Sequence, residues 1–463
     1  MDKLIDQFRL SYLENCQTFT IKPREAILAE VSNAKAKREP LVLNLYGPTL
    51  GSDRLTDLDV SVICKSLEHI DCCSGFDFSC NNITDGGAAT IASFLPNSSI
   101  FKTLNLRMNN ITKVGAKTLA SGIAQSVSLK QFILCQNAIS EEGCQHIISV
   151  LCRSSLSHLD LSYCGVNTDV FIDLSLEMMK PSFSLTHLAL AGCEPLSRHG
   201  EAIQRFSQGV AHCNTIKALN LSRCNLHDWD ITNLITGLLD HRPRIVHTDP
   251  DSTGSPAALQ LTYLNVSGNA LSFDSCASLR SFLANPSCSL ETIVMDGCRI
   301  QDEGCNHLAI ALCEYPHTQA SSLFISLKRC GLTAQSLTSL AILCKENMSI
   351  KGDEGCNHLA IALCEYPHTQ ASSLFISLKR CGLTAQSLTS LAILCKENMS
   401  IKGVSVVDNL FFKGLTDEHH APKEWKELLE ERKDLITDVG VSVNEFGDYS
   451  VYHPEKSLDF TWE

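Results

Sequence analysis

One short pattern recurs along most of this 463-residue chain: Leu-x-Leu-x-x-(Asn/Cys)-x-(Leu/Ile), often with Gly four residues later. It runs through Phe76, Phe78, Asn81 and Ile83, then Leu104, Leu106, Asn109 and Ile111, then Phe132, Leu134, Asn137 and Ile139. Cysteine takes the Asn place at 164, 193, 224, 298, 330 and 381, and the last copy is Val404, Val406, Asn409 and Phe411. A degenerate early copy is expected at Leu43, Leu45 and Leu50. The first residues of the copies stand mostly 27 to 32 apart.

That period holds one strand and one full helix per unit. The Leu-x-Leu pair alternates as a half-buried strand must, with the leucines inward and the intervening residues on the opposite face. Asn then turns the chain, and its amide can satisfy backbone groups of the adjoining coil that would otherwise be buried and unpaired. Cys fits the same slot and brings a weak S–H donor. No unit can bury its own face, so the units must stack. The expectation is an α/β leucine-rich-repeat solenoid, a horseshoe with a parallel concave sheet and convex helices.

Solenoid ends expose core and need caps. Residues 1–40 read as two amphipathic helices, around Leu4–Asn15 and Pro23–Lys37, forming a helical N-terminal cap. Residues 41–412 read as the array, and 413–463 as an acidic C-terminal cap with a helix at Pro422–Arg432 and a hairpin over Val441–Tyr452. Leu219 and Leu264 stand 45 apart, and the extra residues, 241–260, are rich in turn formers and read as an exposed insertion.

Residues 353–403 repeat 302–352 without a change. Ordinary repeats share a pattern and not every surface residue. The copied block, 51 residues long, is not a whole number of units. A local defect is therefore expected near 345–356, where Met348–Gly352 stands in place of a strand.

Composition narrows the function. Apolar residues make up 44% and aromatics only 6%, which suits thin layers of branched aliphatics. The 23 cysteines include no CxxC, and many fall one per repeat, so they read as reduced core residues and not as a zinc or redox ladder. Cys305 and His307 lack the third group and oxyanion loop that a nucleophilic pair needs. No phosphate-binding G-x-x-x-x-G-K-[ST] occurs. The net charge of −13, with 13 acidic against 5 basic residues from Gly414 onward, disfavours gripping phosphates, so no direct nucleic acid is expected. No long apolar run suggests a membrane span, and the start lacks the order of a signal peptide, so an intracellular protein is expected. No enzyme activity, cofactor, metal or small-molecule substrate is expected. A protein partner is.

The face opposite the leucines is the candidate site. Asp77, Arg107, Asp160, Tyr163, Arg223, Lys328, Arg329, Lys379 and Arg380 are its candidate protein-binding residues, acidic toward the first half and basic toward the second. Arg and Tyr dominate such surfaces energetically.

Arg54–Leu67, followed by Phe76–Gly87, resembles the opening repeats of a leucine-rich-repeat family of the ribonuclease-inhibitor type. The resemblance implies a non-enzymatic scaffold in the cytoplasm or the nucleus and nucleolus, associated with ribosome production. A GTPase-activating protein for Ran uses the same repeat class, as do some ciliary proteins, so a GTPase regulator and a structural ciliary component are the competing readings.

Overall fold

The computed structural model describes residues 1–47, 53–193, 200–240, 259–285, 288–314, 324–327 and 330–331. Beyond these it describes short pieces at 374–377, 392, 401–405, 427–428, 430–431, 436–437, 440–443 and 449–452. The expected defect at 345–356 and nearly all of the 241–260 insertion lie outside the described residues. The chain divides into two compact units, Met1–Glu194 and Pro195–Glu463, a division inside the segment read as one array.

The first unit begins with α1 (Asp2–Thr18) and α2 (Glu25–Lys37). Its repeats follow as β1 (Leu41–Asn44), α3 (Asp57–Ser66), β2 (Cys73–Asp77), α4 (Asp85–Phe94), β3 (Thr103–Asn105), α5 (Lys113–Gln125), β4 (Gln131–Ile133), α6 (Ser140–Ile148), β5 (His158–Asp160), α7 (Thr168–Met178) and β6 (His187–Ala189). Adjacent strands pair in parallel and in order. The register puts Leu104 opposite Phe132 and Phe132 opposite Leu159, so the leucine positions of successive units are neighbours. All three are fully buried. Each such side chain contributes roughly 1.5–3 kcal/mol before entropy is subtracted.

α1 buries Ile5, Phe8, Tyr12 and Cys16, the spacing of one helical stripe. Arg24 then clamps the cap to α3, its Nε and Nη2 reaching the two oxygens of Asp59 at 2.7 and 3.0 Å. Such a bidentate pair fixes orientation as well as adding energy.

The second unit has α8 (Gly200–Cys213), β7 (Ala218–Asn220), α9 (Asp228–Leu239), β8 (Tyr263–Asn265), α10 (Phe273–Leu283), β9 (Thr292–Val294), α11 (Gln301–Glu314) and β10 (Phe324–Ser326). β7 to β10 are again parallel in order. Further on, β11 (Leu374–Ser377), β12 (Ile401–Ser405) and β13 (Ile436–Thr437) form a separate parallel sheet, and β14 (Gly440–Val443) pairs antiparallel with β15 (Tyr449–Tyr452).

The helix starts explain the recurrent Gly at 87 and 115. Asp57 accepts from the Thr84 amide at 2.7 Å, and Asp85 accepts from Thr112 N at 2.8 Å and Gly115 N at 2.9 Å. A Cβ on Gly87 or Gly115 would stand 2.6 or 2.4 Å from the carboxylate of the preceding helix. The glycine therefore admits an acid that links two helix N-termini, where negative charge is favoured.

Candidate partner-binding face

Two devices build the turns that follow the strands, though not both at every strand. The first is the buried Asn. Asn109 Nδ2 donates to Phe78 O of the preceding coil at 2.9 Å and to Leu106 O at 3.0 Å, while its Oδ1 accepts from Ile83 N at 3.0 Å. Asn81, Asn137 and Asn269 repeat the arrangement. Where Cys replaces Asn, the thiol keeps part of it: Cys164 Sγ donates to Leu134 O at 3.3 Å and Cys298 Sγ to Val266 O at 3.5 Å.

The second device was not anticipated from sequence. The polar residue at the end of the strand accepts a bond from the amide two residues on. Asp77 does so from Ser79 at 3.0 Å, Asn105 from Arg107 at 3.0 Å, Asp160 from Ser162 at 2.8 Å, Asn220 from Ser222 and Asn265 from Ser267 at 3.0 Å. Short polar side chains favour this turn because they reach their own backbone. Two expected binding residues are thus turn formers. Asp77 is half-buried. Asp160 is only 1% exposed, which corrects its place on an open surface: its carboxylate closes the turn and lies beside the Cys135 thiol.

The residue just before each Asn or Cys has a positive φ: Cys80, Met108, Gln136, Tyr163, Gly192, Arg223, Gly268 and Gly297. The left-handed backbone throws the side chains of Met108, Gln136, Tyr163 and Arg223 outward, while Cys80 stays buried, and the glycines in the series are its sequence signal. Tyr163 is 44% exposed, and its ring packs against Gly192 of the next repeat, where a Cβ would stand 2.3 Å from Cδ1. Arg223 is exposed and lies over Gly268 in the same way. Arg107 is exposed and steadied by its Nε donating to Gln136 Oε1 at 2.8 Å. Met108, exposed at 44%, belongs to the same edge and was missed, since a lone Met signals nothing without the turn geometry. Lys328, Arg329, Lys379 and Arg380 lie outside the described residues.

The structure brings Arg107 and Tyr163 to one edge of the first unit's sheet; Arg223 holds the equivalent place in the second unit. Cys164, Cys288 and Cys298 are not poised for attack. Burial pushes Cys164 and Cys288 up to about 12 and Cys298 up to about 11, and a protonated thiol is a poor nucleophile and ligand. Cys305 is fully buried. No described helix is long and apolar enough to cross a membrane.

Comparison with known proteins adds the following. A family model for the Leucine Rich repeat matches residues 76–92, 98–120 and 212–228. The chain is 27% identical over 285 residues to the ribonuclease inhibitor of Mus musculus, which covers 51% of this chain and 59% of that one. It is 25% identical over 291 residues to NACHT, LRR and PYD domains-containing protein 5 of Homo sapiens, covering 55% of this chain and 22% of that protein. The chain thus spans less than two thirds of either relative. Among solved structures, the leucine-rich repeat-containing protein LegL7 of Legionella pneumophila aligns with a TM-score of 0.37 at 16% identity, over 65% of this chain and 83% of that one. The three matched stretches run from the end of β2 into α4, through β3 into α5, and through β7 to the start of α9, and the chain is an α/β leucine-rich-repeat solenoid that is similar in sequence to ribonuclease inhibitor.

Proposed function

We propose that the chain is a non-enzymatic, intracellular interaction scaffold that docks a partner protein on the strand face and turn edge of the first unit. Repeat arrays of this class present rigid surfaces for binding proteins. One observation carries the reading: Tyr163 is exposed yet packed against a glycine whose lack of a side chain makes the room. A pre-ordered aromatic loses little entropy on binding, and such residues are the usual energetic centres of interfaces.

The test is affinity capture with quantification of the proteins retained, comparing the unaltered chain with Tyr163→Ala and Gly192→Ala. The second change drives a methyl into the ring. Both are expected to lose the same partner, by about tenfold in affinity, while the circular dichroism stays unchanged. Equal retention by all three would remove this face from the function. Accelerated GTP hydrolysis by a small GTPase on adding the chain would overturn the non-enzymatic reading.

The place of action we assign to the nucleolus and to ribosome production. The support is the likeness of residues 54–67 and 76–87 to leucine-rich repeat-containing protein 34. Proximity labelling that returns axonemal and no nucleolar proteins would reject it.

A further inference from the structure

Two histidines meet on the strand face of the first unit's sheet. His158 opens β5, His187 opens β6, and the register pairs them. Leu159 and Leu188 beside them are buried in the core, so strand alternation turns both histidines to the opposite face. Both are half-buried there. Their rings stack with centroids 4.0 Å apart and planes within 9°. The two stand 29 residues apart in the sequence, and only the register joins them.

Each ring is held in the same way by the residue before it. Ser157 Oγ lies 2.8 Å from His158 Nδ1, and Thr186 Oγ1 lies 2.8 Å from His187 Nδ1. Each hydroxyl also reaches a carbonyl of the preceding coil, Ser157 that of Lys130 at 3.2 Å and Thr186 that of Ser157 at 2.9 Å. A hydroxyl accepts as well as donates. It can therefore accept from Nδ1–H and donate its own hydrogen to the carbonyl, which leaves the ring's lone pair on Nε2. A metal ion needs that tautomer, and ligating histidines are oriented by a partner on their other nitrogen. The rings are near parallel and equally tethered, so the two Nε2 atoms lie side by side.

We propose that His158 and His187 bind a divalent transition-metal ion of the kind imidazole suits, zinc or nickel, through both Nε2 atoms. Among the described residues no three His, Cys, Asp or Glu side chains gather to hold a metal. The chain thus supplies two ligands, and water takes the remaining positions. Tetrahedral bonds of about 2.0–2.1 Å set the two nitrogens about 3.3 Å apart. The stacked rings must therefore splay on binding, each turning about its Nδ1 contact. Asp160, two residues beyond His158 and on the same side of β5, favours the incoming cation. The proposal does not depend on the docking reading above.

The test is calorimetric titration of Ni²⁺ into the full chain with its thiols kept reduced. The chain has 16 histidines, so the readout is the difference between variants. The tightest site is expected to take one ion per chain. His158→Gln and His187→Gln are each expected to weaken it by at least about tenfold. Thr186→Val keeps both rings and removes one tether, and is expected to cost about tenfold as well. X-ray absorption at the nickel edge of the one-to-one complex is expected to count two imidazoles, and one in His187→Gln. A stack that serves packing alone gives another result: the histidine variants lower the thermal midpoint and leave nickel affinity unchanged. That result, or fewer than two imidazoles on nickel in the unaltered chain, overturns the proposal.

Discussion

At the residue scale the buried Asn is the element that makes one coil adhere to the next. Asn137 Nδ2 donates to Leu106 O and to Leu134 O, both at 2.8 Å, and its Oδ1 accepts from Ile111 N at 3.1 Å. Asn137→Ala leaves a buried amide and carbonyl without partners, and the expected cost is about 3 kcal/mol in urea unfolding. Asn137→Cys is expected to lose roughly half as much, because a thiol in this slot still donates to the preceding coil, as Cys164 does. Equal losses would show that Cys is mere filler there. This slot was legible in the sequence because either Asn or Cys stands at one fixed register among leucines. The burial of Asp160 was not. Exposure of a strand's outer residue depends on what its neighbours across the sheet carry, and Ile133 and Ala189 beside it are themselves buried. The left-handed column was half legible: Gly192, Gly268 and Gly297 announce a positive φ, but Met108, Gln136 and Tyr163 hold the same backbone without announcing it.

At the scale of elements, the helices are tied through their first turns. Asp228, opening α9, accepts from Ser272 N at 2.8 Å and Ser275 N at 3.2 Å and from both hydroxyls, bracing the start of α10. Burial by itself would raise its pKa, but the bonds from Ser275 and Ser272 together outweigh burial and hold the carboxyl below its ordinary value. A folded-state pKa below the unfolded one means stability that is present above the unfolded value, about 3.9, and lost as pH falls through the folded value. Asp228→Asn should therefore lower stability at pH 7 and flatten the acid limb of the stability profile below about pH 4. Denaturant midpoints taken from pH 2.5 to 7 read both effects. A variant with an unaltered acid limb would mean the bonds to α10 contribute nothing to folding. In the sequence this link showed only as an acid near each helix start, which capping explains equally well. Its partner lies 44 residues away, and only the stacking of coils discloses it.

At the scale of the whole molecule, the duplicated block bears on how the array continues. The identical Phe-Ile-Ser segments both become strands, but β10 pairs with β9 whereas β11 pairs with β12. In the second sheet Ile376 stands opposite Val404, 28 residues on, an ordinary spacing for this chain. Ile325 and Ile376 are 51 apart, and no other interval between successive copies is as long. Deleting 353–403 joins Gly352 to Val404 and regenerates the run Ile-Lys-Gly-Val-Ser that forms β12. It also puts Val404 28 residues after Ile325, so β12 would take β10 as its parallel neighbour in the register it now keeps with β11. Among the described residues β10 ends its sheet; β12 beside it would pair that edge, and an unpaired edge is a liability for pairing with other chains. The shortened chain is therefore expected to unfold at an equal or higher temperature and to stay monomeric at higher concentration. Calorimetry and light scattering on the two chains decide the matter. A midpoint lowered by more than about 5 °C, roughly 1–2 kcal/mol for a domain of this size, would show that the second copy carries part of the fold's own stability.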